Sequence, residues 1–349
     1  MRVWDATTNI SPLVKKVHQG LVRSIEFSSD GQRFVTASDD KTARIWKVEP
    51  DNIRKLSDDF VWTGGGIASA TFSPNSERIA ITSTDGKIFI WDPKERSSQI
   101  LYSGNATATA SAGFSPNGKL IVASSEAEGL RVWNLETKDF SQLTDVRGIR
   151  TAEFNVDSQH VVTGSNNGKA TLWDVKAGAN VRSYEHRNGV VLSAHFSADG
   201  KRIVTASSDR TARVWDTDSG SELVQLLGHG GDVYGARFSM DGTRIVTASG
   251  DHKIRVWDAQ TGAQIVRFAV NGDPYDAAFT QDGGRLIVAL DDGDIDVFNV
   301  HWTTVRGKNL VSSVCEEKLT DVMEFTSDDV LNPILSTFRG QKPCWRTGP

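Results

Sequence analysis

The sequence predicts an all-β fold, a seven-bladed β-propeller of four-stranded antiparallel blades. Three observations lead to this prediction. An aromatic residue recurs about every 42 residues, a Phe precedes it by 19 residues in each of seven copies, and Asp, Asn and Gly separate stretches rich in Ile, Val and Thr. Four short strands cannot bury both faces of their own sheet, so successive sheets must pack face to face in a ring.

Each repeat is constant in its interior and variable at its joints. All length differences fall between the aromatic residue of one copy and the Phe of the next. Surface loops between stacked modules tolerate such insertions, so each copy is one structural module. The aromatic marks are Trp4, Trp46, Trp91, Trp133, Trp173, Trp215, Trp257 and Phe298, and the preceding marks are Phe27, Phe72, Phe114, Phe154, Phe196, Phe238 and Phe279.

One copy, FSADGKRIVTASSDRTARVWD at residues 196–216, shows how the strands are assigned. The segments ADG and SDRT supply the residues that tight turns require, and β-branched residues dominate the stretches between them. Three strands joined by two turns follow from this pattern. The variable segment after the Trp, SELVQLL at residues 221–227 in this copy, predicts the fourth strand.

The number of strands predicts how the ring closes. Seven copies contain the first and second strands, whereas eight contain the third, because the chain opens with MRVWD. We expect residues 10–17 to complete the last blade as its fourth strand, which removes an exposed sheet edge. The propeller then spans residues 1–300, with the first five residues in excess.

An eight-bladed ring is the alternative. MEFTSDDVLNPILS at residues 323–336 resembles the first two strands of a copy, which MRVWD could complete. Pro333 argues against it, because proline lacks the N–H that a central strand needs. The C-terminal segment instead predicts a helical tail over residues 301–349 that packs on the propeller. Its apolar residues near helical spacing are Val305, Leu310, Val311, Val314 and Leu319.

The repeat endings RVWD, RIWK, IWD and LWD, the Phe-Ser-x-Asp-Gly turns and the Gly228-His229 pair resemble the WD-repeat β-propellers. The resemblance covers about residues 1–300. Departures are Phe298 in place of the Trp, and Lys47 and Asn134 in place of the Asp that follows it. More weakly, VCEEKL, NPIL and KPC in the tail resemble bacterial WD-repeat proteins whose longer members carry an N-terminal effector domain.

His, Ser and Asp recur together in three copies at fixed steps before a Trp. A hydrolase needs one such triad with an exposed nucleophile and an oxyanion hole, so three copies in register favour a structural role. The resemblance implies a tetrad in which Asp bonds His, His bonds the Ser of the second strand, and this Ser bonds the Trp indole. The sets are His18, Ser38, Asp40 and Trp46; His186, Ser207, Asp209 and Trp215; and His229, Ser249, Asp251 and Trp257.

The other copies lack one or more members of the set. Asp85 and Ser83 have no His before them, Ala127 and Asn167 stand in place of the Asp in copies three and four, and Leu290 stands in place of the Ser in copy seven. We therefore expect blades two, three, four and seven to depend more on the packing of their large aromatic residues.

Composition excludes several classes of function. The net charge is −5 and the Lys and Arg residues are scattered, so the chain lacks the basic surface that binds nucleic acid. No apolar run approaches the ~20 residues of a membrane span, and the start of the chain lacks the apolar core of a signal peptide. These features predict a cytoplasmic protein with no membrane partner.

No cofactor or metal is expected. The run TGGGIAS lacks the Gly-Lys-Ser/Thr of a phosphate-binding loop, and DDGDID lacks the terminal Glu of an EF-hand. Cys315 and Cys344 have His301 as their one nearby histidine, which predicts neither a disulfide framework nor a zinc site.

Two functions of different class follow from the sequence. The first is a non-catalytic module, a monomeric ring that presents loops to a protein or peptide partner as a scaffold or sensor. The second is a hydrolase-type enzyme that uses the central channel. Enzymatic propellers gather acids, His or a metal near the axis, and no repeat position here is uniformly so equipped. The sequence therefore favours binding and predicts no catalytic residue.

The resemblance implies which side chains would meet a partner. In WD-repeat propellers, the residues four and six places before each Phe mark, and the residue before the tetrad Asp, point outward at one end of the ring. Blades two and three offer only Gly66, Ala68, Ala108 and Ala110 at the first two positions. The predicted binding residues are Leu21, Arg23, Asp39, Glu126, Arg150, Val190, Leu192, Asp232, Tyr234, Asp273, Tyr275 and Asp291.

Overall fold

The computed structural model describes residues 3–5, 17–49, 52–56, 59–103, 109–144, 146–186 and 188–303, with backbone alone for residues 3–5, 52, 109 and 301–303. The chain forms a seven-bladed β-propeller of four-stranded antiparallel blades, as the sequence predicts. Two compact units are distinguished, residues 10–298 and residues 1–9 with 299–349.

In the first four blades the strands follow one another across the sheet in chain order. The fourth strand of blade one is in two pieces, both paired with its third strand. The strands are Val22–Phe27, Arg33–Ser38, Thr42–Glu49, Asn52–Lys55 and Phe60–Val61; Ile67–Phe72, Ile79–Ser83, Lys87–Asp92 and Ser97–Ser103; Thr109–Phe114, Leu120–Ser125, Gly129–Asn134 and Phe140–Thr144; and Ile149–Phe154, His160–Ser165, Lys169–Asp174 and Ala179–Glu185.

Blades five and six repeat the same order, and three strands of blade seven are described. The predicted fourth strand at residues 221–227 is present in blade five as Glu222–Leu226. The strands are Val191–Phe196, Arg202–Ser207, Ala212–Asp216 and Glu222–Leu226; Val233–Phe238, Arg244–Ser249, Lys253–Asp258 and Gln264–Ala269; and Pro274–Phe279, Arg285–Leu290 and Ile295–Asn299.

The two aromatic marks of a repeat lie on one line across the sheet. In blade one, Phe27 is opposite Phe34, and Phe34 is opposite Trp46. The Trp residues fill the space between blades: Trp257 of blade six is only 2% exposed and packs in one cluster with Val204 of blade five. The constant spacing between the marks thus preserves a cross-strand row that is buried against the neighbouring blade.

Blade one packs on blade seven and closes the ring. Ile25 and Trp46 share a buried cluster with Ile287 and Val297. The predicted closing strand, residues 10–17, lies outside the described residues except for Val17, which is buried in the same cluster. The ring is therefore closed by apolar contacts of the same kind that join the other blades.

The opening MRVWD pairs outside the blades. Val3–Asp5 forms an antiparallel ladder with His301–Thr303, a two-stranded sheet that belongs to the second unit. The predicted helical tail, the segment at 323–336 and both cysteines lie outside the described residues, so the domain boundary at residue 300 stays a prediction. Within the described residues, no helix has the length and apolar character of a membrane span.

Candidate interaction face and its supporting networks

Antiparallel pairing puts the two kinds of loop at opposite ends of the ring. The connections from a fourth strand to the next blade's first strand share one end with the turns between second and third strands. We call this end the upper face. The turns between first and second strands, and between third and fourth strands, form the lower face.

Buried hydrogen-bond networks support the upper face in blades one, five and six. In blade one, His18 donates from Nδ1 to the Asp40 carboxylate at 2.9 Å. The Thr36 hydroxyl lies 2.7 Å from His18 Nε2 and accepts the Trp46 indole N–H at 3.0 Å. Each network joins the loop before a blade to its second and third strands, which fixes the loop against the ring.

The other two networks repeat this geometry. His186 and His229 lie 3.0 and 3.1 Å from the carboxylates of Asp209 and Asp251. Both imidazoles are 2.7 Å from a Thr hydroxyl, which accepts the N–H of Trp215 at 2.8 Å and of Trp257 at 2.9 Å.

The hydroxyl in each network differs from the predicted one. Thr36, Thr205 and Thr247 bond the His and the Trp, so the assignment of this role to Ser38, Ser207 and Ser249 was wrong. The reason is distance along the strand, which rises about 3.3 Å per residue. Trp46 is opposite Phe34, so its indole reaches two residues further to Thr36 but not four residues further to Ser38.

The Ser residues stabilise the turn instead. Ser38 accepts the Asp40 N–H at 3.1 Å and donates to the Gly20 carbonyl at 3.0 Å. Ser249 makes the same pair of bonds with Asp251 and Gly231, both at 3.2 Å. These bonds hold the second turn of the blade against the preceding loop, next to the network but outside it.

The networks hold their His neutral and their Asp ionised. Burial lowers the pKa of His18 and of His186, and it lowers the pKa of His229 to about 4 with help from the nearby Arg255. Burial alone would raise the pKa of Asp251, but hydrogen bonds from the Gly230 N–H and from Arg255 lower it to about 2. Neutral His and ionised Asp suit a structural hydrogen bond better than a catalytic base poised near pH 7.

The blades without a full set use other partners. In blade two, the Trp62 indole donates to Asp85 at 3.0 Å and so takes the place of the absent His. In blade four, the bond from Trp173 to Thr163 remains, at 2.9 Å. In blade seven, Phe298 and Val288 occupy the corresponding positions, so both the indole N–H and the hydroxyl are replaced by apolar groups.

Blade three has an aromatic and cationic cluster instead. The guanidinium of Arg131 lies 4.9 Å from the ring centroid of Tyr102 and 5.5 Å from that of Phe140, and it bonds Glu128 at 2.9 Å. Tyr102 in turn packs 5.6 Å from Trp133. The prediction that these blades depend more on packing is therefore only partly right. Asp85 and Arg131 also form polar links between neighbouring elements.

A β-bulge sets the upper rim in every blade. The register of the first strand against the second shifts near its start in all seven blades, and one residue is left over at each shift. A bulge of this kind re-aims the side chain of the extra residue. These residues are the position four places before each Phe mark: Arg23, Ala68, Ala110, Arg150, Leu192, Tyr234 and Tyr275.

The bulge residues of blades six and seven stack on each other. The ring centroids of Tyr234 and Tyr275 are 4.8 Å apart, and the ring planes differ by 2°. The Tyr234 ring lies over Gly250, where a Cβ atom would come within 2.9 Å of its hydroxyl oxygen. Burial, followed by the carboxylate of Asp273, raises the pKa of both phenols, which therefore stay protonated at neutral pH.

Charged residues lie along the upper rim, both next to the Tyr pair and across the ring from it. Arg23 binds Asp39 through two hydrogen bonds of 2.6 and 2.9 Å. Asp291 accepts the Asp273 N–H at 3.0 Å, which links two of the predicted residues directly. On the other side of the ring, Arg150 lies 3.5 Å from Glu126. Leu21 and Leu192 are partly exposed.

The model of the family described as WD domain, G-beta repeat matches residues 11–47, 57–92, 141–174, 178–216 and 220–258, which together exceed half of the chain. The chain belongs to the WD-repeat family. The matched ranges correspond to the blades that carry the His–Asp networks and to blades two and four. They leave out blades three and seven of this WD-repeat propeller.

Three curated proteins illustrate how WD-repeat relatives resemble the chain. Pre-mRNA-processing factor 17 of Homo sapiens is 24% identical over 161 residues, 46% of this chain and 21% of its own length. Apoptotic protease-activating factor 1 of Mus musculus is 28% identical over 231 residues, 55% of this chain and 18% of its own. The Periodic tryptophan protein 2 homolog of Neurospora crassa is 37% identical over 93 residues, 25% of this chain and 10% of its own. The similar regions thus span about a fifth or less of these relatives.

The WD-repeat ring also places a charged cluster near its axis, which the sequence analysis missed. First strands of neighbouring blades contact each other and are therefore innermost. Arg237 binds Asp276 with two bonds of 3.1 Å and Glu26 at 2.8 Å. His195 lies 2.6 Å from Glu153. The signal was present one place before the Phe marks, where four of seven copies carry a charged or titratable residue.

Arg237, Asp276 and Glu26, which form one part of this cluster, lie at the closing seam. Asp276 also accepts the Ile25 N–H at 3.1 Å, across the junction of blades seven and one. Enclosure raises the pKa of Glu26 against the lowering effect of Arg237. Among the described residues, no group of three or more His, Cys, Asp or Glu side chains is placed to hold a metal ion.

Proposed function

We propose that the chain is a non-catalytic protein-interaction scaffold or sensor module that binds a protein or peptide partner on its upper face. The observation that carries the proposal is the stacked, partly exposed pair of Tyr234 and Tyr275 at the rim. Tyr supplies a large contact area at a small entropic cost and is enriched among the residues that dominate binding energy. Leu192 of the neighbouring blade extends this contact area with an aliphatic group.

The rim is well suited to presentation because its supports are rigid. The loops that precede blades five and six are tied down by His186 and His229, so the bulge residues beside them are held by the ring. A preformed surface loses less entropy on binding than a flexible one. Blades two and three, with Ala68 and Ala110 at the bulge, leave the surface uneven, so we expect binding to centre on blades five, six, seven and one.

The relatives support the proposal by their names. One is a processing factor and another a protease-activating factor, and each contains the similar WD-repeat region within a much longer chain. We infer that this propeller likewise serves a larger process rather than catalysing a reaction. The weaker resemblance of the tail supports a bacterial signalling protein of the cytoplasm as its setting.

Hydrolysis in the central channel is the second candidate, and the axial cluster is the observation that favours it. Its groups already satisfy one another, because Arg237 binds two carboxylates and His195 binds Glu153. Nucleophilic catalysis needs a base that bonds a nucleophile, and these pairs contain none. A structural role accounts for the cluster more completely, because each of its bonds links the first strands of different blades. Turnover in a broad hydrolase screen, lost in the variant Glu153→Gln, would favour the enzyme instead.

A capture experiment tests the binding proposal. The tagged protein is used to recover partners from the native host, and Tyr234→Ala plus Tyr275→Ala is compared with Lys119→Ala plus Lys201→Ala on the lower face. We expect the Tyr pair to lose the partner and the Lys pair to retain it, while both variants melt within a few degrees of the wild type. Equal loss from both pairs, or full retention by the Tyr variant, would exclude this face.

A further inference from the structure

The upper face carries an excess of negative charge around the Tyr pair. Asp232, Asp273 and Asp291 all lie close enough to Tyr234 to raise the pKa of its phenol. Asp39 acts in the same way on Tyr275. Four carboxylates from three neighbouring blades thus surround one stacked aromatic pair.

Two of these carboxylates have a basic side chain beside them. Arg23 forms two hydrogen bonds to Asp39, and His252 lies 3.1 Å from Asp273. In the part of the chain that the structure describes, Asp232 and Asp291 have no cationic partner, and both are exposed. The surface is therefore left with unneutralised negative charge beside the two rings.

The excess is local to blades six, seven and one. Across the ring the upper rim is balanced, because Arg150 lies 3.5 Å from Glu126 and bonds Asn166 at 2.5 Å. Blades two and three contribute Ala68 and Ala110. A partner that docks on this face therefore meets negative charge and aromatic surface at the same place.

Aromatic rings and carboxylates together favour one kind of ligand group. The face of an aromatic ring attracts a cation, and a carboxylate within a few ångströms adds a charge-assisted hydrogen bond. Tyr234 and Tyr275 supply the rings, and the exposed Asp232 and Asp291 supply the charges. A guanidinium or ammonium group satisfies both, whereas an anionic group would be repelled.

We propose that the partner presents a cationic peptide segment, with an Arg or Lys side chain beside the Tyr pair and between Asp232 and Asp291. This inference rests on the proposed function, and it adds the chemical class of the partner. An aliphatic residue next to the cation would contact Leu192, which is partly exposed on blade five. The ligand is a segment of another protein, since the same charges oppose the binding of nucleic acid.

Fluorescence anisotropy with synthetic peptides tests the charge of the partner. The probes are a fluorescein-labelled hexapeptide that contains two arginines and a leucine, and the same peptide with glutamates in place of the arginines. The full chain is compared with Asp232→Asn plus Asp291→Asn, and with the matched control Glu95→Gln plus Asp218→Asn in lower-face turns. Asn keeps the shape of Asp and the acceptor that Asp291 offers to the Asp273 N–H.

We expect the arginine peptide to bind more tightly than the glutamate peptide, with an affinity that falls as salt rises. The upper-face double variant should weaken this binding about fivefold or more, and the lower-face control should leave it unchanged. Equal binding of the two peptides, or equal binding by the double variant and the wild type, would overturn the inference. Tighter binding by the double variant to a labelled DNA oligonucleotide than to the arginine peptide would point to nucleic acid instead.

Capture of the native partner by the same variants distinguishes this inference from the proposed function. If Tyr234→Ala plus Tyr275→Ala loses the captured protein while Asp232→Asn plus Asp291→Asn retains it, the face is an interaction surface but the partner is not cationic. If both double variants lose it and the lower-face control does not, both conclusions stand. If neither loses it, both fail.

Discussion

The phenol rings of Tyr234 and Tyr275 are parallel within 2° at a centroid separation of 4.8 Å, although 41 positions separate them in the sequence. Both are bulge residues, and their blades are adjacent. The same backbone irregularity in two successive blades therefore brings the two rings into contact. Offset stacking is one of the preferred arrangements of aromatic pairs, and here it joins the rims of two blades.

Gly250→Ala should weaken partner binding without a large loss of stability. A Cβ atom at this position would lie 2.9 Å from the Tyr234 hydroxyl oxygen and 3.3 Å from two ring carbons, so the ring must move away from its stacked position. The hydroxyl end of the side chain is free to shift, and we expect the change in unfolding free energy to stay under about 1 kcal/mol. Near-ultraviolet circular dichroism would report the altered Tyr environment.

The control is Gly118→Ala, in a lower-face turn where a new Cβ meets no atom within 4 Å. Its backbone has a φ of 71°, so a small strain cost is expected, but the Tyr signal and partner binding should not change. An unchanged Tyr spectrum in Gly250→Ala would contradict the role given to this glycine.

Thr205→Val should destabilise the propeller more than Ser207→Ala. The Thr hydroxyl bonds both His186 and Trp215, so its loss leaves two buried polar groups without their partner, at about 1–3 kcal/mol each. Among the described residues, the Ser hydroxyl accepts one hydrogen bond, from the Asp209 N–H in the turn, and we expect its loss to cost about 1 kcal/mol. Urea unfolding of the two variants measures the difference.

The matching pair Thr247→Val and Ser249→Ala in blade six provides a second measurement, since Thr247 bonds His229 and Trp257 in the same way. Ser249 also donates to the Gly231 carbonyl, so its loss should cost somewhat more than that of Ser207. A larger loss of stability in the Ser variants than in the Thr variants, in both blades, would show that the Ser hydroxyl belongs to the network after all.

Stability should fall as the pH drops below about 6.5. Burial holds the pKa of His229 at about 4 in the folded chain, against 6.5 when unfolded, so between these values the unfolded state binds a proton that the native state does not. Its contribution is therefore complete above pH 6.5 and is lost as the pH falls. One such His accounts for about 1–2 kcal/mol between pH 6.5 and pH 5.

Urea unfolding of His229→Gln over the same pH range isolates this effect. The variant is expected to be less stable at pH 7 but to lose less stability on acidification. His18 and His186 are buried as well, so both proteins also lose stability as these two residues are protonated. Parallel pH profiles for the wild type and the variant would show that His229 does not titrate in this way.

Arg237→Met should open the seam between blades seven and one. The guanidinium neutralises Glu26 and Asp276 near the axis, and its removal leaves a buried and a partly exposed carboxylate without a cation. We expect a loss at the lower end of the about 3–5 kcal/mol that breaking a buried ion pair costs. A loss below 1 kcal/mol by thermal or urea unfolding would mean that the cluster contributes little to closure.

A compensating change sharpens this test. In blades two and five, Ser69 and Ser193 occupy the position of Asp276 and accept the N–H of the next blade at 3.2 Å. Asp276→Ser in the Arg237→Met background should therefore recover a good part of the lost stability, because it removes one orphaned charge and keeps the acceptor for Ile25.

The sequence by itself determined the number of blades, the first three strands of each, and the burial of the third-strand aromatic residues from Trp46 to Phe298. These properties are local or periodic: turn residues and β-branched runs define each strand, and the spacing of 19 residues between marks keeps the row that Phe27, Phe34 and Trp46 form across the sheet. The three His–Asp pairs were also predicted at the right residues, because the resemblance assigns them by distance from the same marks. The β-bulges at the rim were not predicted.

The tertiary structure decided which groups meet across strands and blades. Thr36 rather than Ser38 bonds the indole because only Thr36 lies within reach of Trp46, and both hydroxyls look alike in the sequence. Trp62 could replace His as a donor to Asp85 because the indole N–H and the imidazole N–H present the same chemistry from different side chains. The partners of the axial Arg237 come from two other blades, so only the closed ring brings opposite charges together there.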